Sequence, residues 1–481
     1  MIVNRIYQWA RVQPGKTALI HDDATVSYAA LARRIEARRQ YFASRELPAG
    51  QTAVVLIQDL AAAWTAVLGL RAAGLNTICA ASIADAEALN IRDVACIVAA
   101  QAEAAGLGDG QAFPHAVVIQ VPASVDLDIG DQALPTARPG PAMGGHILYT
   151  SGTTGAYKKV LCAPDHESDR LALIARSRGT TADTVNHALS FGLWTTVGYD
   201  QPLSVWLMGG TVVTDQRLTA HETFFANGVN TAIVLPTSLQ TLVDLHGTDG
   251  GPRSQCAFRV SGAFCPRSVI ERASTRLTGN LTVAYGSTEC ASIATSRFLG
   301  PEDHDWLAPT LERTVEIVDE FERPLGDGLE GLLRVRLLSG DAQAYMDDED
   351  ATARHFRGGY FYPGDLAVRR ADGRVRILGR FDDVLNIHGQ KLAIAPLEQR
   401  LQSFLDVENV CLFSGLDGEG REELVVALET DRALTPDEQE QIALNYRMYG
   451  RIRIVTLKPF PRTEAGMQKI RRIELRKMIF G

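Results

Sequence analysis

His146-Ile-Leu-Tyr-Thr-Ser-Gly-Thr-Thr-Gly-Ala-Tyr-Lys-Lys-Val160 sets a short apolar run directly before a loop of glycines and hydroxyls. The run reads as a strand, so the loop leaves a sheet edge, where nucleotides commonly sit. Hydroxyls stand at Thr150, Ser151, Thr153 and Thr154, beside Gly152, Gly155 and a lysine pair. Gly152 and Gly155 let the backbone turn its N–H groups toward one point. With Lys158 these donors describe a cradle for a polyphosphate. It is not the Gly-x4-Gly-Lys-Ser/Thr loop, because the glycine spacing differs and Lys158 is not followed by Ser or Thr. By composition alone a polar surface turn is the better reading; what lies downstream reverses that.

Upstream, helical patterns alternate with short apolar strands. Tyr28 to Tyr41 repeats apolar side chains at helical spacing, Thr52-Ala-Val-Val-Leu-Ile follows as a buried strand, and Asp59 to Ala73 is helical again. Ala95-Cys-Ile-Val-Ala and Ala116-Val-Val-Ile-Gln-Val read as further strands, and residues 122–145 as the connection into the loop. Downstream, Thr211-Val-Val, Thr231-Ala-Ile-Val-Leu, Phe258-Arg-Val and Leu281-Thr-Val-Ala continue the pattern. Strands alternating with helices imply doubly wound, largely parallel sheets. From about Val315 the rhythm turns β-rich, with Val315-Glu-Ile-Val, Gly331 to Leu338 and Arg374 to Leu378 as strands. Gly326-Asp-Gly-Leu-Glu-Gly331 matches Gly-x-Gly-x-x-Gly but precedes a strand instead of opening a helix, so it reads as a turn. The expected fold is α/β: a large N-terminal domain, 1–381, of doubly wound sheets plus a β-rich subdomain, and a small mobile α+β C-terminal domain, 382–481.

The chain has 481 residues, too many for one core. Its 46% apolar and 22% charged content is that of soluble globular proteins, and a net charge of −9 argues against a nucleic-acid partner. Residues 451–481 run the other way, with nine Lys/Arg against two Glu. That stretch reads either as a lure for a phosphate-bearing or acidic partner or as a solvated helix face. Seven scattered cysteines without a Cys-x-x-Cys pair suggest neither a metal cage nor a disulfide framework. No signal-peptide pattern and no membrane-length apolar run occurs, so a cytoplasmic location is expected.

Four motifs follow one another: the hydroxyl-rich loop, Ala284-Tyr-Gly-Ser-Thr-Glu289, Tyr362-Pro-Gly-Asp365, and Gly379-Arg-Phe-Asp-Asp-Val-Leu-Asn-Ile-His-Gly-Gln-Lys391. In this order they resemble the acyl-adenylate-forming superfamily of acyl-CoA and aryl-CoA synthetases, peptide-synthetase adenylation domains and luciferases. The resemblance covers essentially the whole chain. It implies an ATP-dependent ligase in which a carboxylate attacks the α-phosphate, pyrophosphate leaves, and the acyl group passes to a thiol. The barrier is an anion meeting a polyanion, so cations and N–H groups around phosphorus carry the catalysis. By resemblance, Thr150 to Lys158 grip the β- and γ-phosphates, Thr288 contacts the α-phosphate and Glu289 holds Mg²⁺. Tyr285 stacks on adenine, with Gly262, Ala263, Ala284 and Gly286 lining that slot. Asp365 takes the ribose hydroxyls, Arg380 is a second ribose or phosphate contact, and Asp382 is the hinge about which the C-terminal domain swings.

Some positions depart from the family pattern. Tyr157 replaces a proline, which loosens the loop, and Lys159 replaces a glycine, which adds a charge. Pro363 removes a threonine hydroxyl. At the C-terminus the family carries Pro-Arg/Lys-Thr-x-x-Gly-Lys, whose lysine stabilises the adenylation transition state. Here Pro461-Arg-Thr-Glu-Ala-Gly466 is followed by Met467, Gln468 and then Lys469. Direct counting puts Met467 in the lysine's place, which implies a non-catalytic nucleotide- or acyl-binding relative. Allowing two extra loop residues aligns Lys469-Ile-Arg-Arg-Ile-Glu-Leu-Arg with the acyl-CoA synthetase tail and makes Lys469 catalytic, the favoured alignment.

The acyl pocket is expected around Phe191, Trp194 and Phe264. Amino-acid-activating domains place an Asp where counting back from Leu207-Met-Gly-Gly210 finds Thr196, so an apolar or aromatic carboxylic acid is expected over an α-amino acid. The resemblance makes coenzyme A the first choice of acceptor and a stand-alone acyl carrier protein the second.

Overall fold

A computed structural model describes residues 2–22, 24–100, 113, 115–121, 133–136, 143–151, 157–188, 191–214, 227–245, 255–381, 384–387, 390–405, 407–416, 421–462 and 470–480. Among these residues five sheets form. One runs Val117–Gln120, Val94–Ala99, Thr52–Leu56, Asn76–Cys79, His146–Ser151, Tyr157–Cys162 in spatial order. Its neighbours pair in parallel except the last two, an antiparallel hairpin at the edge. Parallel neighbours need a crossover, and the helix Leu60–Ala72 supplies it after Thr52–Leu56. The five residues of Thr52–Leu56 are all buried, as for a strand covered on both faces. Asp59 lies outside the helix, capping it by accepting from the Ala62 N–H at 2.7 Å. Gly69 lets this helix press on Tyr28–Ala43: a Cβ there would lie 2.5 Å from that of Arg38.

The second sheet runs Ala308–Pro309, Ala291–Arg297, Leu281–Ser287, Ala257–Val260, Thr231–Val234, Val185–Ala188, Thr211–Val213, Thr17–His21, Ala24–Ser27. Its centre is parallel and its edges antiparallel. The helix Thr196–Met208 is buried along almost its whole length and carries Trp206 and Tyr199 into the core shared with Trp64 and Leu68. The doubly wound expectation is therefore what forms.

The change of rhythm near Val315 marks the third sheet, built from Val315–Val318, Glu330–Arg336, Phe356–Arg357, Tyr360–Phe361, Asp365–Arg369 and Val375–Arg380. Leu333, Val335, Phe361 and Val375 pack there with Cys290 and Ile293 from the second sheet's edge, so the two are one body. The Gly326–Gly331 motif is the turn before Glu330–Arg336, with Gly328 at φ +81°, a conformation that favours glycine.

Beyond it come the hairpin Val384–Ile387 and Gln390–Ala393, the helix Ile394–Leu405, a sheet of Val410–Leu416, Glu422–Leu428 and Arg451–Thr456, and the helices Pro436–Tyr446 and Arg472–Phe480. They bury their own apolar residues, among them Leu385, Leu401, Leu412, Val426 and Tyr446. Gly379, φ +125°, sits where this α+β unit meets the third sheet; a Cβ there would lie 2.2 Å from that of Ala395. In the basic stretch Arg453 pairs with Glu423, Lys458 with Glu408, Arg462 with Glu429, Arg471 with Glu474 and Arg472 with Glu398. Most of its apparent excess is thus neutralised by carboxylates. All seven cysteines are buried, and among the described residues no helix is long and apolar enough to cross a membrane.

Candidate active site

Thr150 and Ser151 end one strand of the edge hairpin, with Thr150 opposite Lys158 and Ser151 opposite Tyr157. Gly152, Thr153, Thr154 and Gly155 fall outside the described residues, as do Asp382, Met467 and Lys469. Successive strand residues point to opposite faces, which separates the two lysines. Lys158 Nζ is 2.8 Å from His355 Nε2 and 5.2 Å above the Tyr345 ring. Lys159 turns the other way and is only 6% exposed; its Nζ donates to the carbonyls of Leu89 and Asn90 at 2.9 and 3.0 Å and lies 3.5 Å from Asp347. It clamps the hairpin to the neighbouring helix end, so the expectation of an added charge at the loop is corrected. Tyr157 is likewise held, by strand pairing and an edge-on contact with Tyr149 at 5.4 Å, so the missing proline does not leave this position loose.

Thr288 and Glu289 occupy the turn between Leu281–Ser287 and Ala291–Arg297. Gly286 permits the tight return, since a Cβ there would lie 2.2 Å from the Ala291 carbonyl oxygen. Glu289 is 6% exposed, and its Oε1 accepts from the Tyr345 hydroxyl at 2.5 Å. Burial, then the Glu289 carboxylate, holds the Tyr345 phenol well above its ordinary range, so it stays a donor. The turn's backbone is gripped from behind. Arg170 donates to the Thr288 carbonyl at 2.8 Å and the Glu289 carbonyl at 3.1 Å, while its Nε pairs with Asp200 at 2.7 Å.

Asp365 begins one strand of the third sheet and faces Arg380 at the end of the next. The Tyr285 hydroxyl donates to Asp365 Oδ2, and Arg380 Nε lies 3.4 Å from Oδ1. Arg380 also donates to the Pro363 carbonyl, so that position still serves the site without a hydroxyl. Burial and the adjacent carboxylate push the Tyr285 phenol far up. The two groups of residues share one field. Burial draws the Lys158 ammonium down, Glu289 opposes that and Arg380 adds to it. Contacts join the two groups: Lys158 bonds His355, whose Nδ1 lies 2.7 Å from the Tyr362 carbonyl oxygen, and Arg380 donates to the carbonyl of the adjoining Pro363.

The aromatic pocket candidates are less unified. Phe191 is buried with Ile233 and Leu235; Trp194 stacks with Tyr149 at 6.5 Å; Phe264 is 38% exposed, edge-on to His304 at 5.5 Å. Gly262, φ +95°, and Ala263 form the turn after Ala257–Val260, and Ala284 lies in the adjoining strand Leu281–Ser287. Thr196 is a buried residue of the first turn of its helix, and its hydroxyl has no hydrogen-bond partner.

Four functional neighbours escaped the sequence reading. Arg170 and Asp200 left a trace, since each is a charge on an otherwise buried helical face. Tyr345 and His355 left none, because each reaches its partner only through the fold. Among the described residues no cluster of three or more His, Cys, Asp or Glu side chains could hold a metal. A lone buried carboxylate suits Mg²⁺, which takes one or two carboxylates and completes its shell with water and phosphate oxygens. Glu289 fits that pattern, with Oε1 fixed by Tyr345.

The family model for AMP-binding enzymes matches residues 6–339. The chain is 24% identical over 435 residues to the nonribosomal peptide synthetase anaPS of Neosartorya fischeri, which covers 82% of this chain but only 17% of that synthetase. Among solved structures, the anthranilate CoA ligase AuaEII in complex with anthranoyl-AMP superposes with TM-score 0.82 at 18% identity, over 99% of this chain and 96% of that one. The o-succinylbenzoate coenzyme A synthetase MenE of Bacillus subtilis, in complex with ATP and magnesium, gives TM-score 0.81 at 20% identity over 98% and 99%.

Proposed function

The chain belongs to the AMP-binding enzyme family, and we propose that it activates an apolar or aromatic carboxylic acid with ATP and passes the acyl group to coenzyme A. The observation that carries this reading is that Lys158, Glu289, Asp365 and Arg380, far apart in sequence, are linked by contacts through His355, Tyr345 and the Tyr362–Pro363 backbone. Thr150 and Lys158 would take the β- and γ-phosphates, and Thr288 the α-phosphate. Asp365, paired with Arg380, accepts from the ribose hydroxyls, while the Tyr285 ring flanks adenine. Glu289 would hold Mg²⁺, which when bound neutralises phosphate charge. A carboxylate oxygen of the acid attacks the α-phosphorus, the bond to the bridging oxygen of pyrophosphate breaks, and an acyl-adenylate remains. Lys158, half-buried, and Arg380, exposed, would lower the barrier by sitting where charge builds up.

An uncharged Thr196 supports an acid without an α-ammonium. Asp200, one turn further along the same helix, is engaged by Arg170 and does not replace the missing carboxylate. End-to-end likeness to CoA ligases supports coenzyme A as acceptor, with a carrier protein as the alternative. The unit 382–481 would swing about Asp382 between the two half-reactions. Lys469 is the proposed catalytic lysine. An antiparallel bridge between Arg462 and Ile470 closes the stem of its segment, and Arg462 is fixed by Glu429 at 2.8 Å, so two extra residues can be absorbed between fixed ends.

ATP–pyrophosphate exchange over a panel of aliphatic, aromatic and α-amino acids, without coenzyme A, tests the reading. Exchange with an aliphatic or aromatic acid is expected. Exchange with α-amino acids alone would overturn the substrate class, and silence with ATP bound would favour a binding protein disabled at Met467.

A further inference from the structure

The hydrogen bond between Lys158 and His355 fixes a protonation state. An ammonium only donates, so His355 Nε2, 2.8 Å from Lys158 Nζ, accepts and carries no proton. On the other side of the ring Nδ1 lies 2.7 Å from the Tyr362 carbonyl oxygen, which only accepts, so Nδ1 carries the proton. A single species, the neutral Nδ1–H imidazole, satisfies both contacts. The reverse assignment, imidazolium beside a neutral amine, would move a proton from the stronger base to the weaker. Burial, with Lys158 adding to it, holds His355 below its ordinary value, in keeping with the neutral ring.

This acceptor is rigid. His355 ends the short helix Glu349–His355, its backbone carbonyl accepts from the Tyr362 N–H at 2.7 Å, and its ring meets Tyr345 edge-on at 5.8 Å. Lysine is otherwise a long, mobile side chain, and Glu289 attracts it. Left to that attraction, Lys158 would move toward the carboxylate and both charges would be lost to an incoming nucleotide. Instead the Lys158 ammonium is bonded to His355 and Glu289 to Tyr345, which keeps cation and carboxylate separately available. The ammonium retains two further N–H donors.

We propose that His355 is the positioning residue for Lys158, a neutral acceptor that aims the ammonium's free donors at the terminal phosphates of ATP. This rests on the proposed nucleotide activation and assigns a role to a residue outside the motifs that carry the family resemblance. AMP lacks those phosphates, which gives a readout that a merely structural role would not produce.

The test is calorimetric titration of the full chain with ATP and with AMP, each with Mg²⁺, for wild type, His355→Leu, His355→Gln, Lys158→Ala and the Lys158→Ala/His355→Leu pair. His355→Leu should weaken ATP about tenfold, as for loss of a charge-assisted hydrogen bond, and leave AMP unchanged. His355→Gln, whose amide oxygen still accepts, should recover most of the ATP affinity, and the double variant should bind ATP no more weakly than Lys158→Ala. Unchanged ATP affinity in His355→Leu, a parallel fall for AMP, or additive losses in the double variant would overturn the proposal while leaving the nucleotide site standing. If Lys158→Ala binds ATP like wild type, or wild type binds no ATP, the phosphate assignment falls and the role of His355 falls with it.

Discussion

Arg170 links stability to the turn that carries Glu289, the proposed Mg²⁺ ligand, and two substitutions separate those roles. Its guanidinium is 4% exposed, pairs with Asp200, itself 1% exposed, at 2.7 Å and holds the Thr288 and Glu289 carbonyls at 2.8 and 3.1 Å. Arg170→Met keeps an apolar stem but strands the Asp200 carboxylate, whose Oδ1 already has no hydrogen-bond partner. Removing one member of a buried pair costs about 3–5 kcal/mol, because the remaining charge is left desolvated. Adding Asp200→Leu should return most of that, since an apolar pair of similar volume is often neutral to stability. It cannot return the grip on the two carbonyls. The double variant should therefore fold nearly as stably as wild type yet need about tenfold more Mg²⁺ for half-maximal pyrophosphate exchange. All five tryptophans precede residue 310, so urea unfolding followed by tryptophan fluorescence reports on the body that contains Arg170. A double variant with both restored stability and a wild-type Mg²⁺ titration would show that Arg170 acts through folding alone.

Lys159→Met should cost about 2 kcal/mol in the same unfolding assay, because two carbonyls lose a charged donor, while ATP affinity stays at the wild-type level; a large loss of ATP affinity would return Lys159 to the phosphate loop. Lys469→Ala should lower acyl-adenylate formation at least about a hundredfold and spare acyl transfer from supplied acyl-adenylate, measured by thioester release. Full exchange by Lys469→Ala would remove Lys469 from the catalytic role. His21 Nε2 bonds Asp59 at 2.8 Å, which raises the His21 pKa above 6.5 and lowers that of Asp59 below 3.8. The His21 contribution is thus complete below 6.5 and lost as pH rises through its raised folded value; that of Asp59 is complete above 3.8 and lost as pH falls through its lowered one. Wild type should exceed His21→Gln in stability by about 0.5–1 kcal/mol near pH 5.5, a half-exposed pair being screened by solvent, and the gap should close toward pH 8. A gap independent of pH would dismiss the ion pair.

Much of the architecture was legible because its signals are local. Thr52–Leu56 reads as a buried strand, the helix read from Asp59 to Ala73 forms as Leu60–Ala72, and Gly326–Gly331 turns where its glycines stand before a strand. Each depends on side chains within a few residues of one another, and these are the interactions that set strand, helix and turn. The four motifs were legible for the same reason: each is a contiguous string whose groups act together.

The fold alone decided which groups complete those strings. His355 meets Lys158 across 197 residues, Tyr285 meets Asp365 across 80, and Tyr345 meets Glu289 across 56. Pairing Thr150 with Lys158 in one hairpin turned Lys159 to the opposite face, where it serves packing instead of phosphate. The basic C-terminal stretch likewise finds carboxylates beyond its own boundaries, such as Glu398, Glu423 and Glu429. The sequence by itself determined the class of fold and the strings of residues suited to a nucleotide. Tertiary structure decided their protonation, aim and partners, because hydrogen bonds and charges act over a few ångströms of space and take no account of distance along the chain.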